Sequence, residues 1–307
     1  MLIAVTGGTG FVGRHVVNAL RQRGHRTRVL VRDPDRTPFQ PSDAIEAVSG
    51  SLANPAALRD LTRSADAVIH LVGIIVERGP HTFESVHVDG TRAVLAAAAE
   101  AGCRRFIHMS ALGARDEAGA TPYHRTKRRG ELLVLGSGLT AAVFRPSLVN
   151  GPGNVPIRTL ARLHRLLPAV PIFGDGSYPT QPVWVDDLAL AFALAAERDA
   201  SGLFELGGPA VVTYLEFVRA IGRATGHPRP LLGVPLPLVR AAAAAFDLLG
   251  HLAPLTSDQL QMLVEGSVTP QNALEGVFGI TPLGFEEGLR RFLRPTHRFP
   301  KKPNPGT

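Results

Sequence analysis

A chain of 307 residues, 45% hydrophobic and 19% charged, carries enough apolar side chain to bury a large core, which excludes an intrinsically disordered protein. Its formal charge of +7 attracts polyanions, but no basic stripe with interleaved aromatics marks a nucleic-acid face, so no nucleic-acid partner is expected. The one cysteine, Cys103, excludes an intramolecular disulfide and suits a reducing compartment, and no Cys/His spacing matches a metal site.

The apolar run Leu2-Ile3-Ala4-Val5 follows Met1 directly and leaves no room for a signal peptide, so a cytoplasmic location is expected. Periodicity predicts strand 2–6, helix 11–23, strand 27–31, strand 45–48, helix 55–63 and strand 67–71. Helix 83–101, strand 105–110, helix 123–135 and strand 140–145 continue the series. Six strands alternating with helices predict an α/β fold built on a doubly wound parallel sheet. Beyond Asn150, proline and glycine crowd the chain from Gly151 to Pro179, which reads as loop-rich cover. A short strand at 183–185 follows, then a helix through Ala196 capped by Asp186 or Asp187, and a strand at 203–206 that returns to the main sheet. From Thr213 helical patterns dominate. The apolar stretch 236–255 is broken by Pro237, Arg240, Asp247, His251 and Pro254, so it suits a buried or interfacial helix better than a membrane span. Residues 295–307, proline-rich and basic, lack a core-forming pattern and are expected to be mobile.

Between the first strand and the first helix lies Thr6-Gly7-Gly8-Thr9-Gly10-Phe11-Val12-Gly13-Arg14. A dinucleotide diphosphate needs a turn without side-chain bulk, free N–H groups at a helix N-terminus, and a close helix-to-strand contact. This segment supplies all three, which makes Gly7, Thr9, Gly10, Phe11, Val12 and Gly13 candidate cofactor ligands of a Rossmann domain. At the end of the second strand, where an acidic residue would hold the ribose 2′-hydroxyl, the order is Val31-Arg32-Asp33. The Arg32 guanidinium suits a 2′-phosphate, whereas Asp33 suits a free ribose; Arg32 favours NADP(H) over NAD(H).

Tyr123 and Lys127 stand four positions apart on the predicted helix, hence on one face. A nearby ammonium favours phenolate, so Lys127 is expected to bring Tyr123 toward a working range for proton transfer. Ser110, at the carboxyl end of its strand, lies where doubly wound sheets place ligands and suits the orientation of a reacting oxygen.

With the glycine turn, Ser110, Tyr123 and Lys127 in this order, the chain resembles an extended or atypical short-chain dehydrogenase/reductase over most of residues 1–295. More narrowly, Gly10-Phe-Val-Gly-Arg-His-Val-Val-Asn18, Phe106-Ile-His-Met-Ser-Ala-Leu-Gly-Ala114, Gln181-Pro-Val-Trp-Val-Asp-Asp187 and Val234-Pro-Leu-Pro-Leu238 resemble the branch related to the NAD(P)H-binding accessory subunit of respiratory complex I. The resemblance implies cofactor contacts from Ser51 and Leu52, from Leu71, Val72 and Gly73 at the end of the fourth strand, and from Tyr123 and Lys127 themselves. Ser51 stands where an aspartate commonly meets the adenine, and His87 where extended members commonly carry asparagine. His70 is expected to be packed or hydrogen-bonded, and Arg145-Pro146-Ser147 to shape the substrate side.

The implied organisation is a dinucleotide-binding domain over 1–150, rejoined at about 181–212, with 151–180 and 213–294 on the substrate side. The implied activity is that of an NADP(H)-linked oxidoreductase or epimerase acting on a small-molecule substrate through Ser110, Tyr123 and Lys127. The alternative is a non-catalytic nucleotide-binding accessory protein of a respiratory complex or of quinone metabolism. The basic tail and the apolar helices after Leu236 add an expectation of association with a membrane surface.

Overall fold

The structure, a computed structural model, describes residues 1–39, 44–248 and 255–293. The tail expected to be mobile, 295–307, lies outside the described residues, as does part of the apolar stretch, 249–254.

The first half alternates strand and helix: β1 (Leu2–Thr6), α1 (Phe11–Gln22), β2 (Arg26–Val31), β3 (Ile45–Ser49), α2 (Pro55–Thr62) and β4 (Ala67–His70). A π-helical turn, Glu84–Asp89, then runs into α3 (Gly90–Glu100), followed by β5 (Arg105–Met109), α4 (Pro122–Leu135) and β6 (Thr140–Pro146). The predicted single helix over 83–101 is thus split. The wide turn aims the His87 carbonyl at Gly130 of α4, where a Cβ would come within 2.8 Å, and that oxygen accepts the Thr91 hydroxyl at 2.7 Å.

The second half comprises β7 (Val149–Asn150), α5 (Val155–Leu166), β8 (Val170–Phe173), β9 (Pro179–Thr180), β10 (Val183–Trp184), α6 (Val185–Glu197) and β11 (Gly202–Leu206). It continues with β12 (Val212–Thr213), α7 (Tyr214–Ala224), β13 (Leu231–Val234), α8 (Leu236–Asp247), α9 (Ser257–Glu265), α10 (Ala273–Gly276) and α11 (Phe285–Leu293). No described helix is long and apolar enough to cross a membrane.

Seven strands form one parallel sheet in the order β11-β6-β5-β4-β1-β2-β3. Alternation along each strand divides its residues between two cores. Ile3, Val5, Ile69, Ile107 and Phe144 face α1 and α6, while Ala4, Val68, Phe106 and Val143 face α2, α3 and α4. The same parity puts Thr6, His70 and His108, aligned by register across β1, β4 and β5, on the α3/α4 side. Chain direction away from β1 reverses between β2 and β4, so the switch point opens at the carboxyl ends of β1 and β4, where such sheets bind ligands.

A second, smaller core joins α5, α7, α11 and the parallel β8/β13 ribbon, with Phe217 stacked on Phe285 at 4.7 Å between ring centres. One expectation fails here: α6 begins directly after Trp184 with no side-chain cap. Its first-turn aspartates reach other elements instead. Asp186 accepts from Trp184 Nε1 at 3.1 Å and pairs with His15 Nδ1 at 2.6 Å, and Asp187 accepts the Leu283 N–H at 2.7 Å.

Candidate functional site

The phosphate-binding turn is built from absences of side chain. Gly7 takes φ +74°, open to glycine at no steric cost, and a Cβ there would lie 3.0 Å from the backbone of Leu71 and Val72. A Cβ at Gly13 would overlap the Gly7 carbonyl, so only glycine lets α1 approach the turn this closely. Gly10 caps α1 without a side-chain hydrogen bond, and the first turn holds no acidic residue. The N–H groups at the start of a 12-residue helix therefore face outward with the positive end of the helix dipole. This cradle fits a diphosphate. Thr9, Phe11 and Val12 line it by chain continuity, Leu71 and Val72 press on Gly7 from the end of β4, and Arg32 stands exposed just past β2. Ser51 is exposed beyond β3, and Leu52 packs against Gly90 at the head of α3.

Beside the cradle, α4 brings Tyr123 and Lys127 to the carboxyl ends of β4 and β5. Thr121 caps this helix by accepting the His124 N–H at 3.2 Å, and Pro122 occupies its first turn. Lys127 is buried and donates to the Met109 carbonyl at 2.5 Å, next to Ser110. Burial pulls its ammonium down to about 8, against the favourable pull of Glu131. A Cβ added at Gly73 would lie 3.7 Å from Lys127 Nζ and 3.6 Å from His87 Nε2, which places all three around one point. The Tyr123 ring stands edge-on to His87 at 5.5 Å and to Phe83 at 5.9 Å. Burial pushes its phenol up to about 12, opposite in direction to the lowering expected from Lys127. The reason is geometric: the Lys127 ammonium is spent on a backbone carbonyl, while the phenol packs among rings.

Beneath Lys127 lies a floor of uncharged imidazoles. Ile74 N–H donates to His87 Nε2 at 3.1 Å, so the ring proton sits on Nδ1 and donates to Thr126 Oγ1 at 2.9 Å; Thr126 in turn donates to the Pro122 carbonyl. Thr91 gives its hydrogen to the His87 carbonyl, so it accepts from His70 Nε2 at 3.1 Å, and Thr6 donates to His70 Nδ1 at 2.6 Å. Hydrogen bonding thereby fixes the two histidines as opposite neutral tautomers. Burial, with Lys127 nearby, holds both down to about 3. His108 stacks on His70 at 5.3 Å with neither ring nitrogen bonded to a described residue, and burial drives it down as well.

Ser110 opens onto a charged cluster that sequence reasoning did not find. Its hydroxyl donates to Oε1 of the fully buried Glu131 at 2.6 Å. Arg145 grips the same carboxylate with Nε at 2.7 Å and Nη2 at 2.6 Å, and Arg128 adds Nη1 at 3.0 Å. The missed signal was the spacing Tyr123, Lys127, Glu131, two steps of four along one helix face. On the outer side, Glu265 of α9 binds Arg115 Nη2 at 2.9 Å and approaches His124 Nδ1 to 3.8 Å. A cavity of about 480 Å³, lined by Arg240, Leu260, Gln261, Val264 and Glu265 among others, lies between α8 and α9.

The fold and the sequence have known counterparts. The family model described as "NAD dependent epimerase/dehydratase family" matches residues 3–207, which run from β1 past the end of β11. The chain belongs to that family. Among curated proteins, a ceramide reductase of Caulobacter vibrioides is 36% identical over 248 residues, covering 80% of this chain and 77% of its own. The mitochondrial NADH dehydrogenase [ubiquinone] 1 alpha subcomplex subunit 9 of Arabidopsis thaliana is 25% identical over 292 residues, covering 90% and 72%. Among solved structures, the UDP-glucose 4-epimerase of Thermotoga maritima with UDP-glucose superposes with a TM-score of 0.74 at 23% identity, covering 94% of this chain and 96% of that one. The last likeness shows the fold. The matched family confirms the expected short-chain dehydrogenase/reductase resemblance, and a subunit of respiratory complex I stands among the relatives, as the narrower motifs imply.

Proposed function

We propose that this protein is an NADP(H)-linked reductase of a carbonyl compound, acting through Tyr123, Lys127 and Ser110. The observation that carries the reading is the convergence of Tyr123, Lys127 and the strand-end Ser110 beside a glycine cradle at the switch point of the sheet. A bound nicotinamide supplies the hydride. The remaining work is done by the chain. Tyr123, with its phenol held protonated by burial, gives a proton to the oxygen of the carbonyl being reduced, which suits reduction better than the reverse oxidation. Lys127 holds positive charge against the oxygen that develops negative charge and, from its place beside Gly73, would hold the ribose of a bound dinucleotide. Ser110 gives its own hydrogen to Glu131, so its oxygen is free to accept from the hydroxyl of the alcohol product. The ceramide reductase relative favours an apolar, lipid-like ketone as the substrate class.

The test begins with nucleotide titration by fluorescence. NADPH is expected to bind about tenfold more tightly than NADH, and Arg32→Ala to remove that preference. A chain that binds neither nucleotide overturns the reading. NADPH oxidation is then followed with long-chain ketones, nucleotide sugars and quinones, with turnover expected on the ketones.

A second reading has its own support: a nucleotide-binding accessory role. The Arabidopsis relative favours it, as do the Ser110 hydroxyl committed to Glu131 and the Lys127 ammonium committed to Met109. Tight nucleotide binding without turnover on any of these compounds, together with co-purification of respiratory subunits, selects this reading over the first.

A further inference from the structure

The substrate-side lobe has an unusual charge distribution. Of the chain's 26 carboxylate residues none falls in 152–174 or in 217–246, while these two segments carry seven arginines. They are neighbours in space. Residues 152–174 contain α5 and β8, residues 217–246 contain β13 and most of α8, and β8 pairs with β13 so that Pro171 stands beside Leu232, both outward. Loop 167–169 leads α5 straight into the ribbon, and Pro235 leads the ribbon straight into α8. On α5, Arg158, Arg162 and Arg165 share an exposed face, and no carboxylate pairs with any of them, or with Arg240 of α8, among the described residues. By contrast Arg23, Arg105, Arg129 and Arg145 each hold a carboxylate, and within the second segment Arg223 of α7 pairs with Glu286.

The same lobe exposes large aliphatic side chains. Leu166 is 73% exposed, Leu232 59%, Leu238 63% and Leu248 89%. The α8 helix buries only Val239 and Ala243, against α9, and turns the rest of an alanine- and leucine-rich surface outward. Isolated exposed leucines need no explanation, but four on one ribbon and its flanking helices, framed by unpaired arginines, form a directed surface. A nucleic acid would meet arginines interleaved with aromatics, whereas here the partners of the arginines are aliphatic. Aliphatic side chains that enter the acyl boundary beside guanidiniums at headgroup level fit a bilayer with anionic headgroups.

We infer that the α5, β8/β13 and α8 surface docks on an anionic lipid bilayer. The inference stands whether or not the site is catalytic. The docking face borders the cavity between α8 and α9 at Arg240, so a membrane-bound protein holds that opening near the lipid.

The test is co-sedimentation of the full chain with vesicles, either of phosphatidylcholine alone or of phosphatidylcholine with an equal part of phosphatidylglycerol. Binding is expected only to the mixed vesicles and is expected to fall as salt rises. The variant Arg162→Glu with Arg165→Glu reverses two exposed charges, and Leu232→Ser with Leu238→Ser removes two exposed leucines; each is expected to weaken binding about tenfold or more. Thermal melting of the variants that matches the wild type shows the fold intact. A third full-length variant, Arg298→Gln with Lys301→Gln and Lys302→Gln, separates the tail from the lobe. Binding lost in the tail variant and kept in both lobe variants overturns the inference. So does failure of the wild type to sediment with the mixed vesicles, or displacement from them by duplex DNA with equal loss of the leucine dependence.

Discussion

The floor beneath Lys127 and the surface of α5 and α8 handle polar groups in opposite ways. In the floor, His70 and His87 are bonded at both ring nitrogens, and the Glu131 carboxylate is met by Ser110, Arg128 and Arg145. On the outer surface, Arg158, Arg162, Arg165 and Arg240 pair with no carboxylate among the described residues, and the leucines are exposed. Burial favours pairing, because an unpaired polar group costs most where water is excluded, and His108, with neither ring nitrogen bonded to a described residue, is the exception in the floor. Exposure removes that requirement and leaves charge and apolar area available for contact with something else. The floor thus bears on stability and chemistry together, and the outer surface on neither until it meets a partner.

Acid is the strongest way to break that comparison. His70 and His87 are held near 3 in the folded chain against 6.5 in the unfolded one, and His108 is also lowered. A depressed histidine is neutral when folded and takes up a proton on unfolding, so its stabilising contribution is present above pH 6.5 and is lost as pH falls from 6.5 toward 3. His70 and His87 are each expected to remove about 2 kcal/mol between pH 6.5 and pH 5, before carboxylates titrate appreciably, and His108 acts in the same direction. Urea midpoints across that window are expected to drop steeply; a flat profile means the floor is not sealed. Reversing charges on α5 should leave the slope unchanged.

Next in size is Tyr123→Phe. The phenol packs edge-on to His87 and Phe83 and makes no hydrogen bond to a described residue, so its removal is expected to leave the fold and nucleotide affinity intact. Turnover on a ketone substrate is expected to fall about 10³-fold, the usual worth of a positioned proton donor. Equal rates for the two proteins would remove Tyr123 from the chemistry while leaving the cradle untouched.

Glu131→Gln follows. It keeps the shape of the side chain but leaves Arg145 and Arg128 without their shared carboxylate in the interior, with an expected loss of about 3 kcal/mol. A urea midpoint that shifts by less than about 1 kcal/mol would show that water or Glu205, whose carboxylate lies 3.6 Å from Arg145, compensates.

Much of this was legible in the sequence, and the boundary has physical causes. Gly7, Gly10 and Gly13 are legible because a backbone that must approach a neighbour leaves no choice of residue. The strands of the sheet are legible because burial on both faces makes them near-continuous apolar runs, as in Ile3, Ala4 and Val5. Glu131 was not, since a carboxylate on a helix that also carries Arg125, Arg128 and Arg129 reads as solvated surface until β6 brings Arg145 across to it. The π-helical turn was equally hidden: it depends on the fit of the His87 carbonyl to Gly130, far away in sequence. The mistaken cap at α6 has the same root, because His15 and Leu283 claim the two aspartates from outside the local sequence. The direction of the Tyr123 shift failed for a related reason: spacing puts Lys127 on the correct face, but only packing sends its ammonium to Met109.

The smallest expected effect is the sharpest test of the floor, because it has the unusual sign. Lys127 is the one ammonium among the three neutral imidazoles, and burial holds it near 8 against 10.5 in the unfolded chain. Its folded value is depressed, so the charged form is disfavoured by folding: the cost is fully present below pH 8 and disappears as pH rises from 8 to 10.5. Lys127→Met keeps the length of an unbranched chain and removes that cost, at the loss of one hydrogen bond to the Met109 carbonyl. The variant is therefore expected to be more stable than the wild type at neutral pH by about 1–2 kcal/mol while losing turnover, and the difference should shrink above pH 8 as the wild-type lysine sheds its proton. Paired urea titrations at neutral and alkaline pH measure both halves of the claim. A variant that is less stable at neutral pH would mean that the ammonium supports the fold, and that the floor beneath it is a structural rather than a chemical arrangement.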